Sequence, residues 1–136
     1  MKVDQEKIRA LAGFRSALRR FLAFSEEATG DAGVTPLQYQ AVLAIKAAEG
    51  AMPLGELAKE LLLRANAAVQ MVDRLAAMKL VVRTQAGADR RSVQVALTDE
   101  GDALVTRLAA RHLDQLAKRR KQFADILRQL KQTQAD

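Results

Sequence analysis

Two sets of side chains in this sequence can do recognition chemistry. The first is Arg64, Asn66, Ala67, Gln70 and Arg74, spread along one stretch of helical periodicity. The second is Asp89, Arg90 and Arg91, in a polar run between two strand-like segments. Carboxamides such as Asn66 and Gln70 match the N6 and N7 edge of adenine, and a small Ala67 fits against a thymine methyl. Arg64, at the start of its helix, adds a cation where free amides and the helix dipole already favour an anion. Asp89 beside two arginines opposes phosphate binding unless it clamps one guanidinium. The partner that suits this chemistry is a nucleic-acid duplex. The plain alternative is a solvated helix face for Asn66 and Gln70 and a solvated charged loop for the arginines.

Positioning these groups takes two helices and a hairpin. Leu54 to Leu62 reads as one amphipathic helix, with Leu54, Leu57, Ala58 and Leu61 as its apolar face. Leu62-Leu63-Arg64 is the turn, and a second helix runs from Ala65 to Met78. With Val72 at the centre of its buried face and about 100° per residue, Ala65, Ala68, Val69, Leu75 and Ala76 turn inward. Asn66, Ala67, Gln70 and Arg74 then turn outward, and no bulky apolar group goes with them. Arg74 is equally suited to a phosphate and to a neighbouring carboxylate. Leu80-Val81-Val82, closed by Arg83, reads as an apolar strand, residues 84–91 as a polar turn, and Ser92 to Leu97 as an alternating strand. Lys79 and Arg83 are further candidates for backbone contacts. A helix pair across a tight turn, followed by such a hairpin, can lay a helix and a loop on a duplex.

The flanks read as support. Residues 5–28 form a first helix whose stripe is Ile8, Leu11, Phe14, Leu18, Phe21 and Leu22, and Gly30 and Gly33 bracket a loop. Thr35 is an N-cap with Pro36 in the first turn and Gln38 completing a capping box, and Gly50 stops that helix. Ala51-Met52-Pro53 is a link or a small strand. Thr98 caps a helix whose first turn holds Asp99 and Glu100. Residues 99–132 are helical by pattern, but the apolar spacing drifts after His112, so a break is expected near 110–120. Stripes of this kind do not stay in water, so the first helix and the C-terminal positions are expected to build a dimer. The run Lys118-Arg119-Arg120-Lys121 then reads as a solvated face flanking the dimer seam.

Composition narrows the class. The 136 residues make one domain's worth of chain, and with only 4% aromatics the core must be Leu, Val, Ile and Ala, which favours helices. The net charge of +6 suits a polyanion, nucleic acid before a membrane surface. Without cysteine there is no disulfide scaffold, thiolate zinc site or Cys nucleophile. His112 is the single histidine, and no Ser-His-Asp set or phosphate loop stands out. No enzyme, metal or cofactor is expected. No apolar run nears the roughly 18 residues of a membrane span, and the start leads into an amphipathic helix; a cytoplasmic protein is expected.

Several runs together resemble the MarR (multiple antibiotic resistance regulator) family. They are Thr35-Pro36-Leu37-Gln38-Tyr39, Glu56-Leu57-Ala58, Val72-Asp73-Arg74-Leu75, Leu80-Val81-Val82-Arg83, Asp89-Arg90-Arg91-Ser92 and Leu97-Thr98-Asp99-Glu100-Gly101. The resemblance implies a mainly α fold with a small β-hairpin wing. Residues 35–101 would form the winged helix-turn-helix, and 1–34 with 102–136 the dimerisation helices, all one MarR-like domain. It implies a homodimer on a palindromic DNA operator, usually a repressor, with helix 65–78 in the major groove and wing 84–91 in the minor groove. By position, Arg91 is then the groove-inserted arginine and Asp89 its partner; Arg90, on its own charge, reads as a phosphate contact. A small-molecule effector is a further implication, with Tyr39, Phe14, Phe21 and Phe24 the few aromatics to line its pocket. Two departures stand out. Arg64-Ala65-Asn66-Ala67-Ala68 replaces the usual Ser, Thr or Pro start, and Lys79 replaces a common Gly, which implies a helix end without a glycine cap. The rival from another class is a winged-helix scaffold that binds protein and not DNA.

Overall fold

The computed structural model describes residues 1–85 and 93–135, and of 133–135 the backbone only. Among these residues there are six helices and one three-stranded antiparallel sheet. The order is α1 (Gln5–Asp31), α2 (Pro36–Ala47), β1 (Met52–Pro53), α3 (Leu54–Glu60), α4 (Ala65–Ala77), β2 (Val81–Gln85), β3 (Val93–Leu97), α5 (Asp99–Lys118) and α6 (Arg120–Ala135). The sheet order is β1-β3-β2, with Met52 opposite Val95 and Val81 opposite Leu97. The chain divides into two compact units, Thr29–Ala109 and Met1–Ala28 with Ala110–Asp136.

The unit Thr29–Ala109 is built on Ile45, Leu57, Leu75, Leu108, Val42, Val72, Val81, Val95 and Val105, all essentially without exposed surface. Full burial of each such side chain contributes about 1.5–3 kcal/mol. Local chemistry sets the helix starts. The Thr35 hydroxyl accepts from Gln38 N at 3.1 Å, and the Gln38 side chain accepts from Thr35 N at 2.9 Å, the reciprocal box read from the sequence.

Helix ends depart from that reading. α1 runs on through Gly30 to Asp31. Its end is set by Gly33 at φ 79, with Gly33 N bonded to the Gly30 carbonyl and Val34 N to that of Thr29. α2 stops at Ala47, and Glu49, not Gly50, takes the positive φ, at 60. α3 is shorter than expected, ending at Glu60 with Leu62 at φ 56. α4 ends at Ala77, and Lys79 adopts φ 63. Lys79 N bonds the Ala76 carbonyl at 2.9 Å and Leu80 N the Leu75 carbonyl at 3.0 Å. This is the left-handed double-bonded cap that glycine usually supplies, made here by lysine. The hydrogen bonds of the turn, not the residue type, decide the backbone. Leu80 therefore belongs to the cap and not to a strand. β2 starts at Val81 and continues past Arg83 through Thr84 and Gln85, which the sequence reading assigns to the turn.

One junction joins α4, β2 and α5. The Thr98 hydroxyl donates to the Lys79 carbonyl at 2.6 Å and accepts from Gly101 N at 3.0 Å, while Thr98 N donates to the Leu80 carbonyl at 3.1 Å. A Cβ at residue 101 would overlap the Leu80 carbonyl oxygen, so only glycine fits. A Lys46–Asp102 ion pair also joins α2 to the first turn of α5.

The second unit is different. Of α1 it buries Ala10, Ala17, Ser25 and Ala28, and of its C-terminal part His112 and Ile126. His112 shares a 2.9 Å hydrogen bond with Ser25 and meets the rings of Phe21 and Phe24 edge-on, at 5.9 and 5.5 Å. Ile8, Leu11, Phe14, Leu22, Leu113, Leu116, Leu127 and Leu130 are exposed. The expected break falls at Arg119, between α5 and α6.

Candidate nucleic-acid interface

α4 is the element that gathers the candidate side chains. Arg64 precedes its first residue with φ −70 and ψ 156 and makes no side-chain capping bond. The first-turn amides are thus not consumed by a cap, and a helix N-terminus in that state favours an anion. Arg64, Asn66, Gln70 and Arg74 are all exposed. The structure so places four of the five α4 candidates on open surface.

The fifth is a correction. Ala67, expected outward, is half-buried, while Ala65 and Val69, expected inward, are exposed, Val69 by 39%. The buried stripe is Ala68, Val72 and Leu75, with Ala67, Met71 and Ala76 at its margins. Its centre lies nearer Ala68 and Leu75 than Val72, a rotation of about half a residue step. The outward arc is therefore Asn66, Val69, Gln70, Asp73, Arg74 and Ala77, and it does carry an apolar group. On this geometry Val69, and not Ala67, is the apolar side chain that the arc exposes.

Sequence reasoning also missed a cross-element ion pair. Arg83 of β2 pairs with Asp73 of α4, with side chains 40% and 55% exposed. As an exposed pair it adds about 0–1 kcal/mol to stability. Its geometric effect is to set the strand against the helix. Arg83, expected as a backbone contact, thus holds a carboxylate. The signal available in the sequence was a lone acid in a helix with few polar residues, followed by a cation on the next strand.

The expected wing tip, Asp89, Arg90 and Arg91, lies outside the described residues. The strands that carry it are described, and their register runs from Val81 opposite Leu97 to Gln85 opposite Val93.

Beside α4 is a mostly apolar recess of about 390 Å³, lined by Pro53, Leu54, Ala58, Ala65, Val69 and Val93 among others. The aromatics singled out for an effector pocket sit elsewhere. Tyr39 is a core residue of its unit, and burial raises its phenol above the usual range. Phe21 and Phe24 pack on His112. Among the described residues no three His, Asp or Glu stand together as metal ligands, and no helix is long and apolar enough to cross a membrane.

Comparison with known proteins agrees with this architecture. A family model described as MarR family matches residues 32–92. The HTH-type transcriptional repressor MdtR of Bacillus subtilis (strain 168) is 37% identical over 70 residues, 52% of this chain and 44% of MdtR. The match thus spans less than half of that repressor. The crystal structure of the YusO protein from Bacillus subtilis superimposes with a TM-score of 0.72 at 25% identity, over 97% of this chain and 99% of YusO. A point mutant of MarR from E. coli, solved with operator DNA, shares the fold with a TM-score of 0.71 at 22% identity, over 98% of this chain and 99% of that one. With α3 and α4 across a tight turn and the β2–β3 hairpin behind them, this chain has the winged helix-turn-helix fold of MarR structures, and its residues 32–92 match the MarR family model.

Proposed function

We propose that the protein is a dimeric transcriptional regulator that binds double-stranded DNA at a palindromic operator, acting as a repressor. In this reading α4 enters the major groove, and the wing between β2 and β3 reaches the minor groove. The observation that carries it is the exposed arc of α4. Asn66 and Gln70 lie one turn apart on it, Arg74 follows, and the uncapped start is at Arg64. MdtR, named a repressor, and the MarR mutant crystallised with operator DNA support the same class. Arg91 of the wing is assigned to the groove on the family motif, and Arg90, beside it in the sequence, to phosphate.

Residues 35–101 are assigned to DNA and 1–34 with 102–136 to dimerisation. Support for the second assignment is the exposed apolar row of Ile8, Leu11 and Phe14 with Leu113, Leu116 and Leu127. Two recognition helices of such a dimer would meet major grooves about 10 base pairs apart on one face. For release by a small molecule, the support is the recess beside α4, whose occupant would press on the recognition helix.

The test is selection of bound duplexes from a random pool, followed by affinity measurements at two salt concentrations. Asn66→Ala and Gln70→Ala are each expected to relax preference at defined base pairs, at about 1–3 kcal/mol per contact. Arg91→Ala is expected to weaken all sites and flatten the salt dependence by about one unit of slope. A wild-type protein that selects no sequence and shows no salt-dependent binding would instead point to a protein-binding scaffold.

A further inference from the structure

Asp73 is the one acid in α4, and it lies on the arc assigned to DNA. It follows Asn66 by seven residues, two helical turns, so the two share nearly one line along the helix, about 10 Å apart. A bare carboxylate on that line would face the phosphates that Arg64 and the helix start attract. It is not bare: Arg83 reaches it from β2. Both partners are half-exposed, so the pair sits at the surface and not in the core.

We propose that Arg83 is a positioning residue of the duplex interface, which acts by masking the Asp73 carboxylate. The proposal rests on the DNA-binding reading above. It gives Arg83 a role different from a phosphate contact. An arginine spent on phosphate would act without regard to Asp73. An arginine spent on Asp73 matters only while Asp73 carries its charge. Masking also leaves Arg74, its neighbour in sequence, as the cation of this turn available to the backbone of the duplex.

The experiment is a double-mutant cycle on the full-length protein. Affinity for one selected duplex is measured by fluorescence anisotropy at about 50 mM and about 300 mM salt, with thermal unfolding as a check on folding. Arg83→Ala is expected to weaken binding about fivefold at low salt, because the exposed Asp73 charge then repels the duplex. Screening is expected to reduce that defect to about twofold at high salt, which a merely displaced wing would not show. Asp73→Asn is expected to bind as well as wild type or better. Adding Arg83→Ala to Asp73→Asn is expected to cost less than about twofold, and Arg83→Lys to stay near wild type. An Arg83→Ala defect of the same size in both backgrounds overturns the inference and makes Arg83 a direct contact. A defect that does not shrink with salt overturns it in favour of a structural role. Failure of the wild type to bind any duplex is a separate result, seen before any variant, and removes the DNA reading and this inference together.

Discussion

Leu57, Leu75 and Leu108 are closed off in the unit Thr29–Ala109, whereas Leu11, Leu113 and Leu127 of the unit formed by the two chain ends are 55%, 65% and 65% exposed. Both units are leucine-rich and helical. In the first, a three-stranded sheet backs the helices and the side chains meet on all sides. In the second, the buried positions of α1 are mainly alanine and serine, and Ile8, Leu11, Phe14 and Leu22 stay open. Monomeric proteins seldom leave such groups open in a row. The contrast separates a unit that completes its own core from one that needs a second surface, which we assign to a second copy of the chain.

Four variants test the contrast. Leu75→Ala strikes the closed core and is expected to cost about 2–5 kcal/mol in urea unfolding. A cost near zero would mean that this core is not closed. Leu11→Asp combined with Leu127→Asp strikes the open unit. Exposed positions of a monomer tolerate such changes within about 0.5 kcal/mol each. At a dimer seam they are expected to yield a monomer in sedimentation equilibrium, with the wild type unfolding at a temperature that rises with protein concentration. A double variant that still sediments as a dimer breaks the assignment. The smallest effect belongs to Lys79→Gly, which relieves a left-handed residue in the closed unit. It is expected to stabilise by about 0.5–1 kcal/mol, and Leu62→Gly likewise. A loss in both would show that these side chains hold the turns through contacts of their own.

Helix starts were legible because their chemistry is local. Thr35 and Gln38 are three residues apart, as are Thr98 and Gly101, and each pair forms the bonds its spacing suggests. Helix ends were not, because Glu49, Leu62 and Lys79 take the left-handed backbone without the glycine that signals it. The choice of Val72 as the centre of α4 was correct in kind and about half a step off, enough to exchange Ala67 for Val69 on the outward arc. No helical period foretells that error, since the arc is settled by what packs against Ala68 and Leu75. The Asp73–Arg83 pair was out of reach for a similar reason: the partners lie on different elements and meet only once β2 has turned back. The apolar stripe of α1 was visible at once, but not that Leu18 and Phe21 of it would be half-buried while Ile8, Leu11, Phe14 and Leu22 stay open.

The Thr98 junction bears on the order of folding. Its hydroxyl satisfies a carbonyl at the end of α4, nineteen residues back at Lys79, and an amide at the start of α5, at Gly101. The bond to the Lys79 carbonyl cannot form until the chain between has closed on itself, whereas the bond from Gly101 N is local and needs no such closure. The Thr98–Lys79 bond, unlike the local cap of α5, is therefore expected to appear in the folding transition state only to the extent that the β2–β3 pairing does.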